Sequence, residues 1–406
     1  MEYKIINDPV FGFIRIPTGL LYDLVSHPSL YRLTRIKQLG LANIVYPGAQ
    51  HTRFHHSIGA YHLMTLAIRA LARKGHFIFD SEEEAVCAAI LLHDIGHGPF
   101  SHVLENALIS GVTHEDISLM IMERLNEEFK GALSLAIKIF KDEYPKKFLH
   151  QLLSSQLDVD RLDYLRRDSF FTGVTEGNIG SSRIIDMLNV VDDHLVVDKK
   201  GIYSIENYLV SRRLMYWQVY LHKTAVSAEH VLINALKRAN FLASQGEDLY
   251  APPALRYFLY NNITKDEFIN NPIALDYFLE LDDYDIWSCL KVWMSHPDKI
   301  LSILSNDIVN RNIFKVEVSD DNSVSDERIN KKKKELMDYF CIDESEVEYL
   351  YALNVVGKDM YNIYDDKIEI LDKNGDIYDV TDLSEMLNID TLSKHVKKHY
   401  FCYQRI

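Results

Sequence analysis

The spacing of apolar and polar positions changes along the chain, and each change marks an element. Residues 1 to about 16 carry β-type residues around Asn7-Asp8-Pro9 and Gly12, which predicts a short hairpin. From Leu20 to Leu41 the spacing turns helical (Leu20, Leu21, Leu24, Val25, Leu30, Leu33, Ile36, Leu39), with Gly40 closing the helix and Tyr46-Pro47-Gly48 forming a turn. His51-Thr52-Arg53-Phe54-His55-His56-Ser57-Ile58-Gly59 leads into an apolar helix that runs to about Ala72. The alanine-rich run from Ser81 to Ile90 reads as a buried helix with Ser81 as its N-cap and glutamates in its first turn. Gly96, Gly98 and Pro99 break it just after His93-Asp94.

Further on, Thr113-His114-Glu115-Asp116 is a threonine-capped helix start. Leu157, Leu162 and Leu165 fit a helix on which Asp160, Tyr164 and Asp168 share a face at i, i+4 and i+8. Taken alone, that helix reads as a solvated one with intrahelical Asp–Arg pairs. Residues 203 to 243 form one helical region, and 251 to 300 are helical with breaks at Pro252-Pro253 and Pro272. Composition shifts near 315, where a loop leads into a charged helix carrying Lys331 to Lys334, a solvated face. Lys367 to Val380 alternates around Asp372-Lys373-Asn374-Gly375-Asp376 and predicts a β-hairpin. The chain therefore divides into a helical domain over 1–314 and a small α+β lobe over 315–406.

With 406 residues, 47% hydrophobic and 25% charged, the chain has the makeup of an ordinary globular protein. Its formal charge of −15 argues against a broad nucleic-acid surface but leaves room for a local positive pocket. The N-terminus has neither the basic start nor the apolar run of a signal peptide, and no apolar span is long enough for a membrane helix. Cys87, Cys289, Cys341 and Cys402 are far apart and read as reduced thiols, so a cytoplasmic location is expected.

Nine of the seventeen histidines lie between His51 and His114, a clustering that favours a site over scattered core residues. His51, His55 and His62 are explicable as exposed or capping residues, whereas His56 stands at a helix start. Three histidines and an aspartate between His93 and His102 are too many polar groups for a core segment without a partner, and a metal supplies one. His56, His93, Asp94 and Asp160 together make two imidazoles and two carboxylates, a set suited to divalent Fe, Mn, Ni, Co or Zn. Such an ion favours metal-assisted hydrolysis, with His97, His102 and His114 placed to move protons and Arg53, Arg161, Arg212 and Lys223 offering cations to a polyphosphate.

Gln38-Leu39-Gly40, Tyr46-Pro47-Gly48-Ala49, Arg53 to Gly59, His93 to His102 and Asp158 to Tyr164 occur in an order that resembles the HD-domain superfamily. More narrowly, they resemble the deoxynucleoside triphosphate triphosphohydrolases, bacterial relatives of the mammalian SAM- and HD-domain dNTPase. The likeness covers about residues 1 to 240. It implies a mainly α fold, an HD-domain helical bundle with its metal core in 51–170, a short N-terminal hairpin and the small C-terminal lobe. It further implies that His56, His93, Asp94 and Asp160 hold one divalent ion, with Mg as a companion of the triphosphate. His102 would be the catalytic acid or nucleophile, positioned by Glu105 (often Asp in relatives) and assisted by His97 and His114. Gln38 and Asp168 would contact the sugar 3′-hydroxyl, and Tyr164 would disfavour a 2′-hydroxyl. Arg53, Arg161 (often Lys in relatives), Arg212 and Lys223 would bind the triphosphate.

The implied reaction is attack of water at the α-phosphorus, releasing a deoxynucleoside and tripolyphosphate. The implied partners are a deoxynucleoside triphosphate, an allosteric nucleotide and further copies of the chain in a dimer or tetramer; membrane and nucleic acid are not expected partners. The rival readings are an HD-class phosphodiesterase or nucleotide monophosphatase, and a non-catalytic nucleotide-binding regulator.

Overall fold

A computed structural model describes residues 2–100, 102–109, 111–261, 263–319, 324–358, 361, 367–384 and 396–406, apart from the side chains of 102, 105, 106, 358 and 396. The chain opens with the expected hairpin, β1 (Tyr3–Asp8) paired antiparallel to β2 (Gly12–Pro17). The single helix expected over 20–41 is instead α1 (Leu20–Ser26), α2 (Pro28–Tyr31) and two 3₁₀ turns, Arg32–Arg35 and Gly40–Ile44. Pro28 is the cause, because it pushes His27 into extended backbone and cannot donate to the turn before it.

The long helix α3 (Arg53–Arg73) runs through the centre, buried on nearly all sides, and packs against α4 (Asp80–Leu92). Each fully buried Leu or Ile of α4, such as Ile90, Leu91 and Leu92, stabilises the fold by about 1.5–3 kcal/mol. Ser81 is not the N-cap of α4. Phe79 occupies that place, and its backbone N–H donates to the Glu82 carboxylate at 2.8 Å. There follow α5 (His102–Ala107), α6 (His114–Glu128) capped by Thr113, α7 (Ser134–Phe140), α8 (Lys147–Leu153) and α9 (Val159–Thr172), with α9 packed against α3.

After α10 (Ser181–Met187), a hairpin of β3 (Leu188–Val191) and β4 (His194–Asp198) leads to α11 (Ile202–Met215). The region expected as one helix over 203–243 is interrupted by a π turn at Tyr216–Tyr220, where the Leu221 N–H reaches the Tyr216 carbonyl at 2.8 Å, before α12 (Lys223–Ser244) resumes. Such wide turns re-aim side chains and are common at functional sites. Helices α13 to α17 (Pro253–Tyr260, Lys265–Asn270, Pro272–Glu280, Asp283–Trp293, Lys299–Val309) complete the helical part. Among the described residues, no helix is long and apolar enough to cross a membrane.

The C-terminal residues add β5 (Lys315–Ser319), α18 (Asp326–Phe340), α19 (Glu344–Val347), β6 (Tyr351–Lys358), β7 (Glu369–Leu371), β8 (Ile377–Asp379), α20 (Val380–Leu383) and β9 (Val396–Tyr403). Strands β5, β9 and β6 form one antiparallel sheet, and β7–β8 is the expected hairpin. That hairpin pairs in parallel with β4, so strands from either side of residue 315 share a sheet. Part of the lysine run is partnered rather than only solvated: Lys332 meets Glu335, and Lys333 lies 2.6 Å from Glu348.

One buried carboxylate in α17 gives a pH prediction. Burial pushes Asp307 from 3.8 up to about 7, and its Oδ2 has no hydrogen-bond partner. Below about pH 4 both folded and unfolded states hold the proton; above that only the folded state keeps it, so stability drains as pH rises toward 7. Asp307→Asn should therefore stabilise the protein by about 2–4 kcal/mol at pH 8 and by almost nothing at pH 4. Thermal melts at the two pH values check this.

Candidate metal centre

Three helices deliver the chemistry to one place. Thr52 and His55 cap the start of α3, with the Thr52 N–H 3.2 Å from His55 Nδ1, which fixes the first turn and sets His56 on the inner face. His93 and Asp94 sit at the C-terminal end of α4, where the Gly96 N–H donates to Ser118 Oγ (2.9 Å) and that hydroxyl donates to the His93 carbonyl (2.8 Å). The buried Arg32 holds the same loop through the carbonyls of Ile95 (2.8 Å) and His97 (2.9 Å). Asp158 caps α9 and so places Asp160 in its first turn.

His56 Nε2 lies 3.0 Å from Asp160 Oδ1 and 3.3 Å from His93 Nε2, and His93 Nε2 lies 3.5 Å from Asp160 Oδ1. The same three residues are the described group whose donor atoms converge as a metal would require. Donor atoms about 2.1 Å from one ion stand roughly 3.0–3.4 Å apart, close to the 3.0–3.5 Å found.

The tautomers make the same point. His56 Nδ1 donates to Asp163 Oδ2 at 2.7 Å and His93 Nδ1 to the Ile90 carbonyl at 2.7 Å. Each neutral ring therefore turns its Nε2 lone pair toward the other and toward a carboxylate. A proton answers one of these contacts; a divalent ion answers all of them. The donor set thus fits a metal. Without one, burial opposes charge on both sides, yet Asp160 and Asp163 raise His56 to about 10, while His56 and His93 hold Asp160 far below the usual carboxylate range.

Asp94, expected as the fourth ligand, flanks the group: Oδ1 is 3.4 Å from His93 Nε2, and Oδ2 is 3.8 Å from His56 Nε2. Its Oδ2 also accepts from Arg53 Nη1 at 2.6 Å, so Arg53 meets a metal-side carboxylate. His97 Nε2 approaches Asp94 Oδ1 at 3.4 Å, and its ring stacks on His114 at 4.0 Å between centroids. Burial and the Arg53 charge push His97 down to about 3. His102 and Glu105 lie on α5, but their side chains are outside the described residues.

Beside the metal group are an aromatic wall and two arginines. The Tyr164 ring stands 6.4 Å from His56 and 5.9 Å from Tyr220, and Tyr220 packs on Tyr216 within the π turn. Asp168 is buried, with Oδ1 2.7 Å from His51 Nε2 and Oδ2 accepting from the Tyr220 hydroxyl at 2.8 Å. His51, read as exposed or capping, is in fact buried and stacks on Phe171. The Gln38 backbone N–H donates to the His51 carbonyl at 3.0 Å, and its side-chain Oε1 is buried without a hydrogen-bond partner. Arg161 pairs with Asp158, and its Nε is unpartnered, as are Nε and Nη1 of the buried Arg212. Both guanidiniums couple electrostatically to Tyr164 and Tyr208.

Lys223 lines a cavity of about 420 Å³ with Arg311, Lys315 and Arg405, and none of the metal-centre residues borders it. The expected solvated Asp–Arg helix is buried instead. Its pairs are present, with Asp163–Arg167 fully buried and Asp158–Arg161 buried at the aspartate and half-buried at the arginine. The residues that sequence reasoning missed (Asp8, His51, Asp163, Arg167, Tyr220) carry no metal-ligand spacing. Only the i, i+4 placement of Asp163 and Arg167 hinted at a pair.

This helical bundle with a His/His/Asp group is an HD-domain phosphohydrolase, and the chain belongs to that family. Residues 53–168 match the HD domain and residues 179–248 the HD associated region. A crystal structure of a phosphohydrolase from Bacteroides thetaiotaomicron is similar over 100% of both chains, with 64% identity and a TM-score of 0.97. The uncharacterized protein YwfO of Bacillus subtilis is 33% identical over 320 residues, 77% of this chain and 71% of that one. Human deoxynucleoside triphosphate triphosphohydrolase SAMHD1 is 30% identical over 281 residues, 58% of this chain and 45% of that enzyme.

Proposed function

We propose that the protein hydrolyses deoxynucleoside triphosphates to deoxynucleoside and tripolyphosphate. The observation that carries this is the pair of arginines next to the His/His/Asp group, half-buried Arg161 and buried Arg212, whose Arg161 Nε and Arg212 Nε and Nη1 are withdrawn from solvent without hydrogen-bond partners. Two neighbouring guanidiniums with unmatched N–H donors, only one of them offset by a carboxylate (Asp158), favour a polyanion, and a triphosphate chain is one. Similarity to the human enzyme of that name supports the same choice.

His56, His93 and Asp160, with Asp94 at the edge, would hold the divalent ion, which supplies Lewis-acid activation of water and of a phosphoryl oxygen. Arg161, Arg212 and Arg53 neutralise the phosphates. Each oxygen of Asp168 keeps a lone pair beyond its bond to His51 or Tyr220, so the carboxylate accepts the 3′-hydroxyl beside Gln38. The Tyr164 ring lies beneath the ribose and leaves no space for a 2′-hydroxyl. Water forms the new bond to the α-phosphorus as the bond to O5′ breaks. His102 delivers the proton that O5′ takes up, with Glu105, His97 and His114 in support.

Chromatography of products from a nucleotide panel with Mn, Mg, Fe and Co tests the reading. Tripolyphosphate is the expected product; pyrophosphate or orthophosphate would assign phosphodiester or phosphatase chemistry instead. The rate on dGTP should exceed that on GTP by at least about tenfold, and Tyr164→Ala should narrow the gap. Equal wild-type rates would remove the sugar gate.

A further inference from the structure

We infer that Asp8, in the N-terminal hairpin, is a positioning residue for the metal ligand His56 and acts through a buried Asp8–Arg167–Asp163 chain. The inference rests on the metal-centre reading above and extends it to a part of the fold far from the cluster in sequence. Asp163 Oδ2 accepts from His56 Nδ1 at 2.7 Å and from Arg167 Nε at 2.9 Å, and Oδ1 accepts from Arg167 Nη2 at 3.0 Å. Arg167 Nη1 then donates to Asp8 Oδ2 at 2.8 Å. Asp8 Oδ1 accepts the backbone N–H groups of Val10 and Phe11, at 2.9 and 2.8 Å, so the same carboxylate that ends the chain also shapes the hairpin turn.

All four side chains are withdrawn from solvent, with exposures of 3% for Asp8, 0% for Arg167, 0% for Asp163 and 1% for His56. The packing leaves no slack. A Cβ on Gly59 would lie 2.0 Å from Asp163 Oδ1 and 2.1 Å from Arg167 Nη2, so the pair is pressed against the bare backbone of α3.

Charge explains why the chain needs Asp8. Asp163 alone would hold the His56 ring with Nδ1 protonated and Nε2 facing the metal. Arg167 locks Asp163 in place but cancels its charge, which would leave a neutral pair behind the ligand. Asp8 restores one net negative charge, and that charge favours a cation on the far side of the imidazole. Removing it would also leave the buried Nη1 of Arg167 without its carboxylate partner.

Cobalt(II) titration of the chelator-stripped full-length chain tests this, reading both affinity and the visible absorption bands that report coordination. Asp8→Asn keeps an oxygen acceptor for Val10 and Phe11 and removes the charge together with the acceptor that faces Arg167 Nη1. It should weaken cobalt binding by about 10- to 100-fold and alter the bands, with Arg167→Lys behaving alike. Wild-type affinity and bands in both variants would overturn the inference, whereas a wild-type chain that takes no cobalt would overturn the metal centre itself. For the case in which a variant fails to fold, ¹⁵N spectra of the wild-type imidazoles with zinc bound give a second readout. His56 should carry its proton on Nδ1, and a proton on Nε2 would defeat the proposal.

Discussion

His93→Ala should purify with no bound divalent ion, and its hydrolysis should fall by about three orders of magnitude or more, the cost of several kcal/mol of Lewis-acid activation. The fold should survive. His93 is one of three donors within 3.5 Å of each other, and losing it leaves His56 and Asp160 with Asp94 only at the edge, too weak a set to hold an ion against water. What remains is self-sufficient: His56, already drawn to about 10 by Asp160 and Asp163, stays protonated and keeps its 3.0 Å contact with Asp160. A cationic imidazole between two carboxylates needs no metal, so the variant should melt close to the wild type. Metal analysis of the purified variant, beside circular dichroism melts, decides the matter. A full complement of metal in His93→Ala would mean that the ion sits on other residues.

The centre was legible because its residues break local rules. His93-Asp94 stands where a helix is cut by glycines, and a pair of charges at such an end has no reason to be there unless something binds it. The face of Asp160, Tyr164 and Asp168 was legible through helical periodicity, and all three point toward the same region. Burial was not legible. The Asp–Arg pairs of α9 look identical in sequence whether water or α3 lies outside them, and only the position of α9 in the bundle decides.

Long-range partners were hidden for the same reason. His51 and Asp168 are 117 residues apart, and Arg167 and Asp8 are 159 apart, so no local pattern connects them. The breaks in the first helix and at the π turn have different causes. Pro28 stands in the sequence and accounts for the first break, whereas nothing in Tyr216-Trp217-Gln218-Val219-Tyr220 announces an extra residue in the turn. The tyrosines that this turn re-aims face Tyr164 and Asp168, so the irregularity belongs to the site and not to the helix alone.

Gly96→Ala should be the most damaging small substitution in the His93–His102 stretch. A Cβ there would lie 2.1 Å from the His114 carbonyl oxygen and 2.3 Å from the Ser118 nitrogen, with Ser118 Oγ at 2.7 Å. The first two are backbone atoms in the opening turns of α6, anchored by the Thr113 cap, so neither can swing away. Relief requires α6 and the loop to part, which breaks the Gly96–Ser118–His93 bridge that fixes the end of α4. The expected loss is about 3 kcal/mol or more, together with weakened metal binding as His93 shifts. Gly98→Ala is the control. Its Cβ meets Leu104 Cδ2 at 2.8 Å and Phe278 Cε2 at 3.3 Å, both ends of side chains that can turn aside, so a loss of about 1 kcal/mol is expected. Urea unfolding of the two variants side by side gives the comparison. Equal stabilities would show that α6 yields where its capped backbone should resist.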